Sequence, residues 1–366
     1  MSRNERLLKA CRLESADCTP VWFMRQAGRY MKAYRDIREK YSLMEMFKNP
    51  ELATRITLQP VDAFSVDAAI IFADILLPLE GMGIGLEFAP GPVIRNPVHS
   101  AADVRRLRVA DPDSDLGFVL KSLEWARAEL EGRVPLIGFA GAPFTLASYA
   151  IEGGSSSQYL LTKQFMYGDE ESWDLLMDKL GRTVLEFLKA QIRAGAQVVQ
   201  VFDSWAGCLG PSDYRDYVLP HMRKIFLELE RANIPSIHFG TGTAGLLPLM
   251  AQAGGDIVGV DWRIPLRSAW ECFAGAGIQG NLDPVLLTAP WPVLSQRAAE
   301  ILEEAGGRPG HLFNLGHGIL PATPEDSVRA LADFVHEYRR EQGPLTADAP
   351  QIRGLKTGRF SNGRTV

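Results

Sequence analysis

The chain has 366 residues, 46% hydrophobic and 23% charged, with a formal net charge of −5. That composition is ordinary for a globular protein, and a barrel of this length is routinely one domain, although the length also allows two. A mildly acidic chain has no whole-molecule attraction for nucleic acid or an anionic membrane, so neither is expected as a partner and any affinity for anions must be local.

The first eighteen residues, MSRNERLLKACRLESADC, carry charges and no apolar core, so they do not read as a secretory signal. Short apolar runs then alternate with longer helical patterns. The runs are Val21–Met24, Ala68–Phe72, Leu136–Phe139, Val198–Phe202, Ser236–Phe239, Ile257–Val260, Ala276–Gln279 and Leu312–Leu315. They do not alternate apolar with polar, which suits strands buried on both faces of a parallel sheet. The stretch Ala68 to Leu79 is the most apolar, but it is short and holds Asp74 and Pro78, so it cannot span a bilayer. Glu87–Pro97 is rich in Pro and Gly and reads as an excursion between the second strand and its helix.

Between the runs, Trp173, Leu176, Met177, Leu180, Val184, Phe187 and Leu188 share one face of a helix. Thr323-Pro324-Glu325-Asp326 predicts a capped helix start, with Val328, Leu331, Val335 and Tyr338 as its buried stripe. Eight strand–helix units in a row predict an α/β fold, a single (β/α)8 TIM barrel over residues 1–342. The alternative is an open doubly wound sheet, weakened because no G-x-G-x-x-G opens a helix after the first strand. Residues 343–366, with Arg353, Lys356, Arg359 and Arg364, are expected to be a solvated, poorly ordered extension. The four cysteines, Cys11, Cys18, Cys208 and Cys272, form no C-x-x-C pair and no zinc spacing. A reducing cytoplasm is the expected compartment.

In a barrel the chemistry sits at the C-terminal ends of the strands. Following each run delivers Arg25 and Arg29, then Asp74, then Gly141 and Tyr149, then Asp203 and Ser204, then His238, Asp261, Asn281 and His317. That convergence of polar groups on one rim predicts an enzyme. Arg25 and Arg29 lie in MRQAGRY; two guanidiniums on one loop, spaced by small Ala27 and flexible Gly28, suit a ligand with several carboxylates. As isolated arginines they would equally serve as surface salt-bridge partners. Asp74 lies in IIFADILL, where a carboxylate is costly unless paired; it either has a structural partner or holds N–H donors and a developing cation. His317, between two glycines in NLGHGI, and Tyr149, before Gly153-Gly154, admit structural readings as well as ligand contact. Ser204 has no base beside it, so no Ser-His-Asp triad is read; Asp203-Ser204 supplies hydrogen bonds instead.

Taken together, PVWFMRQAGRY, IIFADIL, GFAGAPFTLASY, FDSWAGCLGP, HFGTGT, QGNLDP and NLGHGI, in that order, resemble the uroporphyrinogen decarboxylase family. The resemblance runs from the first strand to the eighth. It implies a (β/α)8 homodimer with facing clefts that uses neither metal nor organic cofactor and acts in haem biosynthesis. It implies that Arg25, Gln26, Ala27, Gly28 and Arg29 form the substrate loop, with both arginines on substrate carboxylates. It further implies that Asp74 receives the pyrrole N–H groups, and that Tyr149, Ser204 and His317 also touch uroporphyrinogen.

The chemistry fits those residue types. Losing CO2 from an acetate leaves electrons that need a sink, and a pyrrole protonated on a ring carbon is its own sink. A fixed anion at the pyrrole nitrogens stabilises that cation, most of all in a water-poor pocket. Arg25 and Arg29 are also candidate proton donors, though a guanidinium is an unusual acid because it holds its proton so tightly. Two other functions compete. One is a zinc-dependent methyltransferase on a related barrel, which would need a His-x-Cys element where His238 is followed by Phe239 and Gly240. The other is a tetrapyrrole-binding protein without turnover.

Overall fold

Seven of the eight expected strands form one parallel sheet, in a computed structural model that describes residues 2–89, 91–273 and 275–338. The strands are β1 (Ala69–Ile70), β4 (Leu136–Gly141), β5 (Val198–Asp203), β6 (Ser236–Gly240), β7 (Ile257–Gly259), β8 (Gly277–Leu282) and β9 (His311–Leu315), neighbours in that order. Every residue of β4, β6, β7, β8 and β9 is buried, as runs without an apolar–polar alternation imply. The Pro- and Gly-rich excursion forms a separate antiparallel hairpin, β2 (Leu86–Phe88) and β3 (Pro92–Ile94).

The eighth position is filled differently from the expectation. Val21–Met24 makes a single parallel bridge, Val21 to Phe313, and no ladder. Side chains have taken its backbone partners. Pro20 has no N–H to give. Val21 N–H donates to the Asp67 carboxylate (2.8 Å), Phe23 N–H to Gln26 Oε1 (3.1 Å) and Met24 N–H to Asn314 Oδ1 (3.1 Å). Yet the segment still closes the ring. Phe313 N–H donates to the Pro20 carbonyl on one side (2.8 Å), and Asp67 N–H to the Val21 carbonyl on the other (2.7 Å). The strand β1 is short for a related reason: Phe72 N–H leaves the ladder for the Thr57 hydroxyl (2.9 Å).

Around the sheet lie helices whose apolar stripes match the expected periodicity. In Glu170–Arg193 the seven residues placed on one face are all buried. The last helix, Glu325–Glu337, buries Val328, Leu331 and Val335. Its N-cap is Pro324 rather than Thr323, whose hydroxyl is buried without a partner. Tyr338 lies one residue past the helix end. The expected extension 343–366 lies outside the described residues.

Inside the barrel a line of amides replaces a purely apolar core. Trp22 Nε1 donates to Gln279 Oε1 (3.1 Å), and Gln279 Nε2 to Gln200 Oε1 (3.1 Å). All three are buried, so each pairing avoids the cost of an orphaned polar group. Among the described residues, no helix is long and apolar enough to cross a membrane.

Candidate active site

The rim residues divide by what their side chains do. Asp203, at the end of β5, is fully buried and turns to the helix Pro143–Glu152, where Thr145 Oγ1 donates to its Oδ1 (3.4 Å). Thr145 in turn accepts the Trp205 N–H (3.3 Å), so it ties the turn after β5 to that helix. Asp261 accepts N–H groups from Gly242 and Arg263, and Asn281 donates to the Asp261 and Ile264 carbonyls (2.9 and 2.7 Å). These residues build loops. His238 departs from the expectation of a rim group. Its register partner is Val201, and its ring packs on Phe226 of the helix Leu219–Arg231, centroids 4.8 Å apart.

Arg25 and Arg29 are exposed, and Asp74, Tyr149, Ser204 and His317, which lie beyond the C-terminal ends of β1, β4, β5 and β9, are half-buried. Arg25 stands at φ 59°, the left-handed region that costs a side chain about 1 kcal/mol. The surroundings over-determine it. Met24 before it bonds at both backbone groups, N–H to Asn314 and carbonyl to Ile319 N–H (2.9 Å). Gln26 after it is fully buried, with Oε1 on Phe23 N–H and Nε2 on the Ala68 carbonyl (2.9 Å). Gln26 therefore fixes the loop and presents no side chain to the mouth. Gly28 lies so near the Arg25 carbonyl that a Cβ there would stand 3.1 Å away, which leaves only a small residue room beside Ala27. Strain held this way recurs where a side chain must be aimed.

On the other flank of Arg25 lies Gly318. A Cβ there would stand 2.4 Å from Arg25 Cδ, so this glycine makes room for the arginine stem. Gly316 does the same for Trp262 and Asp261: a Cβ would come within 2.7 Å of the Trp262 N. His317 is thus carried on a turn wedged between Arg25 and the segment after β7. Burial lowers its pKa, with Arg25 and Arg263 acting in the same direction, so the ring is neutral at pH 7.

Asp74 follows β1, and its Oδ1 accepts the Leu76 N–H (2.9 Å). Desolvation pushes its carboxyl pKa up, against that hydrogen bond and the Arg25 charge. The flanking Phe72, Ala73 and Ile75 are half-buried apolar groups. An anion here is under-solvated, and so favours any ligand that brings N–H donors or positive charge. Tyr149 feels both neighbours: burial first and then the Asp74 charge push its hydroxyl to about 12, and Arg25 opposes this. Arg25 acts on Asp74, Tyr149 and His317 alike, so the four form one electrostatic neighbourhood drawn from three loops and the helix Pro143–Glu152. The Ser204 carbonyl accepts from Thr241 Oγ1 (2.5 Å), and the residue is half-buried.

Two residues here were not singled out from the sequence. Trp205 stacks on Tyr149, ring centroids 3.8 Å apart and planes 27° from parallel. Arg263 stands beside Asp261, stacked over Trp262 at 4.4 Å. Trp205 lies two residues past the end of β5 and Arg263 four past the end of β7, so a scan of the four residues after each strand would have found both. The Thr145 link predicts a measurable effect. Thr145→Val keeps the shape but leaves the Trp205 N–H and one Asp203 oxygen without that partner, and should destabilise by about 1–3 kcal/mol. Thr145→Ser should recover most of it in denaturant unfolding.

Among the described residues no three or more His, Cys, Asp or Glu side chains are gathered as a metal site. A cavity of about 270 Å³ opens at the other end of the barrel, lined by Glu14, Asp17, Arg308 and His311 among others, far from these groups in the topology.

The family model described as uroporphyrinogen decarboxylase (URO-D) matches residues 2–338. The chain belongs to the uroporphyrinogen decarboxylase family. By that membership it is a decarboxylase, a carboxy-lyase of porphyrin biosynthesis. Its relatives include the uroporphyrinogen decarboxylase of Sorangium cellulosum, 56% identical over 340 residues, 92% of this chain and 97% of that one. That of a Roseiflexus species is 55% identical over 347 residues, 92% and 99% of the two chains. In three dimensions the chain resembles a methyltransferase from Methanosarcina mazei, with TM-score 0.77 at 21% identity over 92% of this chain and 99% of that one. Identity that low shows the shared barrel fold and nothing of the reaction.

Proposed function

We propose that this chain removes CO2 stepwise from the four acetate side chains of uroporphyrinogen III, giving coproporphyrinogen III without a metal or organic cofactor. The observation that carries the reading is the half-buried Asp74 carboxylate, raised in pKa by desolvation and sharing its surroundings with Arg25 and Tyr149. Arg25 and Arg29 bind substrate carboxylates. The pyrrole N–H groups meet Asp74, which stabilises the ring once it is protonated on carbon and becomes cationic. The acetate C–C bond then breaks, its electron pair flows into that cation, CO2 leaves, and a second proton completes the methyl group. The backbone of 26–28 shapes the arginine loop, while Tyr149, Ser204 and the neutral His317 complete the wall around the macrocycle.

The same reading takes residues 1–342 as one catalytic barrel domain and 343–366 as a tail outside it, in keeping with a family match that ends at residue 338. It places the protein in the cytoplasm as a homodimer. Support for a partner surface comes from exposed Leu160, Leu161 and Tyr167 on the helix Leu160–Gly168, close in sequence to the helix that carries Tyr149.

Anaerobic incubation of the purified, metal-stripped protein with uroporphyrinogen III, followed by chromatography of the oxidised products, tests the function. Species with seven, six, five and four carboxylates should appear in turn. An intact, folded protein that binds the tetrapyrrole and releases no CO2 would be a binding protein instead.

A further inference from the structure

We propose that Arg263 is a third carboxylate anchor of this site, holding a substrate side chain on the far side of His317 from Arg25; the proposal rests on the polycarboxylate reading above. The argument begins with position. Arg263 follows the end of β7 by four residues, at the C-terminal face of the barrel. The Gly316-His317-Gly318 turn touches Arg25 through Gly318 and Asp261–Trp262 through Gly316. His317 therefore sits between Arg25 and the segment that carries Arg263, and both guanidiniums lower its pKa. Asp74 follows β1, whereas Arg263 follows β7, four neighbours on around the sheet, so a carboxylate on Arg263 lies across the mouth from the bond being broken at Asp74.

The second argument is preorganisation. Asp261 is buried and takes N–H groups from Gly242 and from Arg263's own backbone as well as one guanidinium nitrogen, Nη1. Its charge is spread over those donors. The guanidinium of Arg263 is held on one side by Asp261 and on one face by Trp262, while its side chain is 54% exposed. A guanidinium has five N–H donors in a rigid fork, so Nε and Nη2 are left for a second, planar anion. An arginine fixed by stacking and one ion pair loses little freedom on binding, which is what an anchor needs. A lysine at this position could not stack and bridge in the same way.

Steady-state kinetics on uroporphyrinogen III with Arg263→Ala, Arg263→Gln and Arg263→Lys tests the assignment. Loss of one charge-assisted contact to a carboxylate remote from the chemistry should raise KM about tenfold in the Ala and Gln variants, with kcat falling less than threefold. The Lys variant should fall between them and wild type. Unchanged KM in folded Ala and Gln variants beside an active wild type would overturn the role of Arg263 alone and leave it as a cap for Asp261. Loss of kcat at constant KM would also overturn it. An inert wild type would remove the decarboxylase reading and this inference together.

Discussion

Asp74→Asn should lower kcat by about a hundred- to a thousandfold while KM stays within about threefold, because it removes a fixed charge from a cation that exists only during the reaction. The side chain keeps its shape and can still accept the Leu76 N–H that Asp74 Oδ1 accepts at 2.9 Å, so the loop should hold. What changes is the field at the pyrrole nitrogens. In the free protein, desolvation already disfavours the anion, and its pKa is raised despite Arg25. On the proposed mechanism substrate N–H donors would supply the missing solvation and the protonated pyrrole more, so the stabilisation would grow towards the transition state. Equal losses in binding and turnover would show that Asp74 is an ordinary binding group. Stopped-turnover measurements with tritium or deuterium exchange into the pyrrole carbon would separate ring protonation from CO2 loss.

Arg25→Ala should act the other way round, raising KM by roughly thirtyfold with a smaller change in kcat, as expected for a bidentate charge-assisted contact worth about 1.5–3 kcal/mol. Stability should not follow binding. Arg25 stands at φ 59°, and Arg25→Gly should relieve about 1 kcal/mol of backbone strain and raise Tm slightly while binding is lost. Gly318→Ala offers a check from outside the loop. Its Cβ would fall 2.4 Å from Arg25 Cδ and 3.1 Å from Arg25 Cβ, so it must displace the arginine and raise KM without touching any charge. An unchanged KM in Arg25→Ala would remove Arg25 from the carboxylate contacts.

The sequence made the barrel legible because strands buried on both faces leave mainly apolar runs with no apolar–polar alternation, broken only by single residues such as Gln200 and His238. It did not show that the first run would forgo a ladder. That outcome depends on Asp67, Gln26 and Asn314 reaching across the fold to take its N–H groups, and such contacts leave no local pattern. The site was legible to the extent that strand ends mark the rim. Asp74, Tyr149, Ser204 and His317 lie beyond the C-terminal ends of β1, β4, β5 and β9, and Arg25 and Arg29 are exposed. Strand ends say nothing of which way a side chain turns. Asp203 and His238 lie on faces directed at the helices, because register pairs His238 with Val201 and Asp203 with Gly240, one residue out of phase with inward-facing Gln200 and Phe202. Gln26 lies in the most recognisable motif of the chain, yet its side chain is spent on the backbone. Trp205 and Arg263 are ordinary residues by type, and only their stacking partners mark them.

The most direct test is a crystal structure of the protein with coproporphyrinogen III, grown without oxygen. The tetrapyrrole should lie at the C-terminal mouth of the barrel, its pyrrole nitrogens within hydrogen-bond distance of the Asp74 carboxylate and its propionates reaching Arg25 and Arg29. A tetrapyrrole seated elsewhere, such as over the cavity bounded by Glu14, Arg308 and His311 at the opposite end, or one whose nitrogens face away from Asp74, would contradict the account.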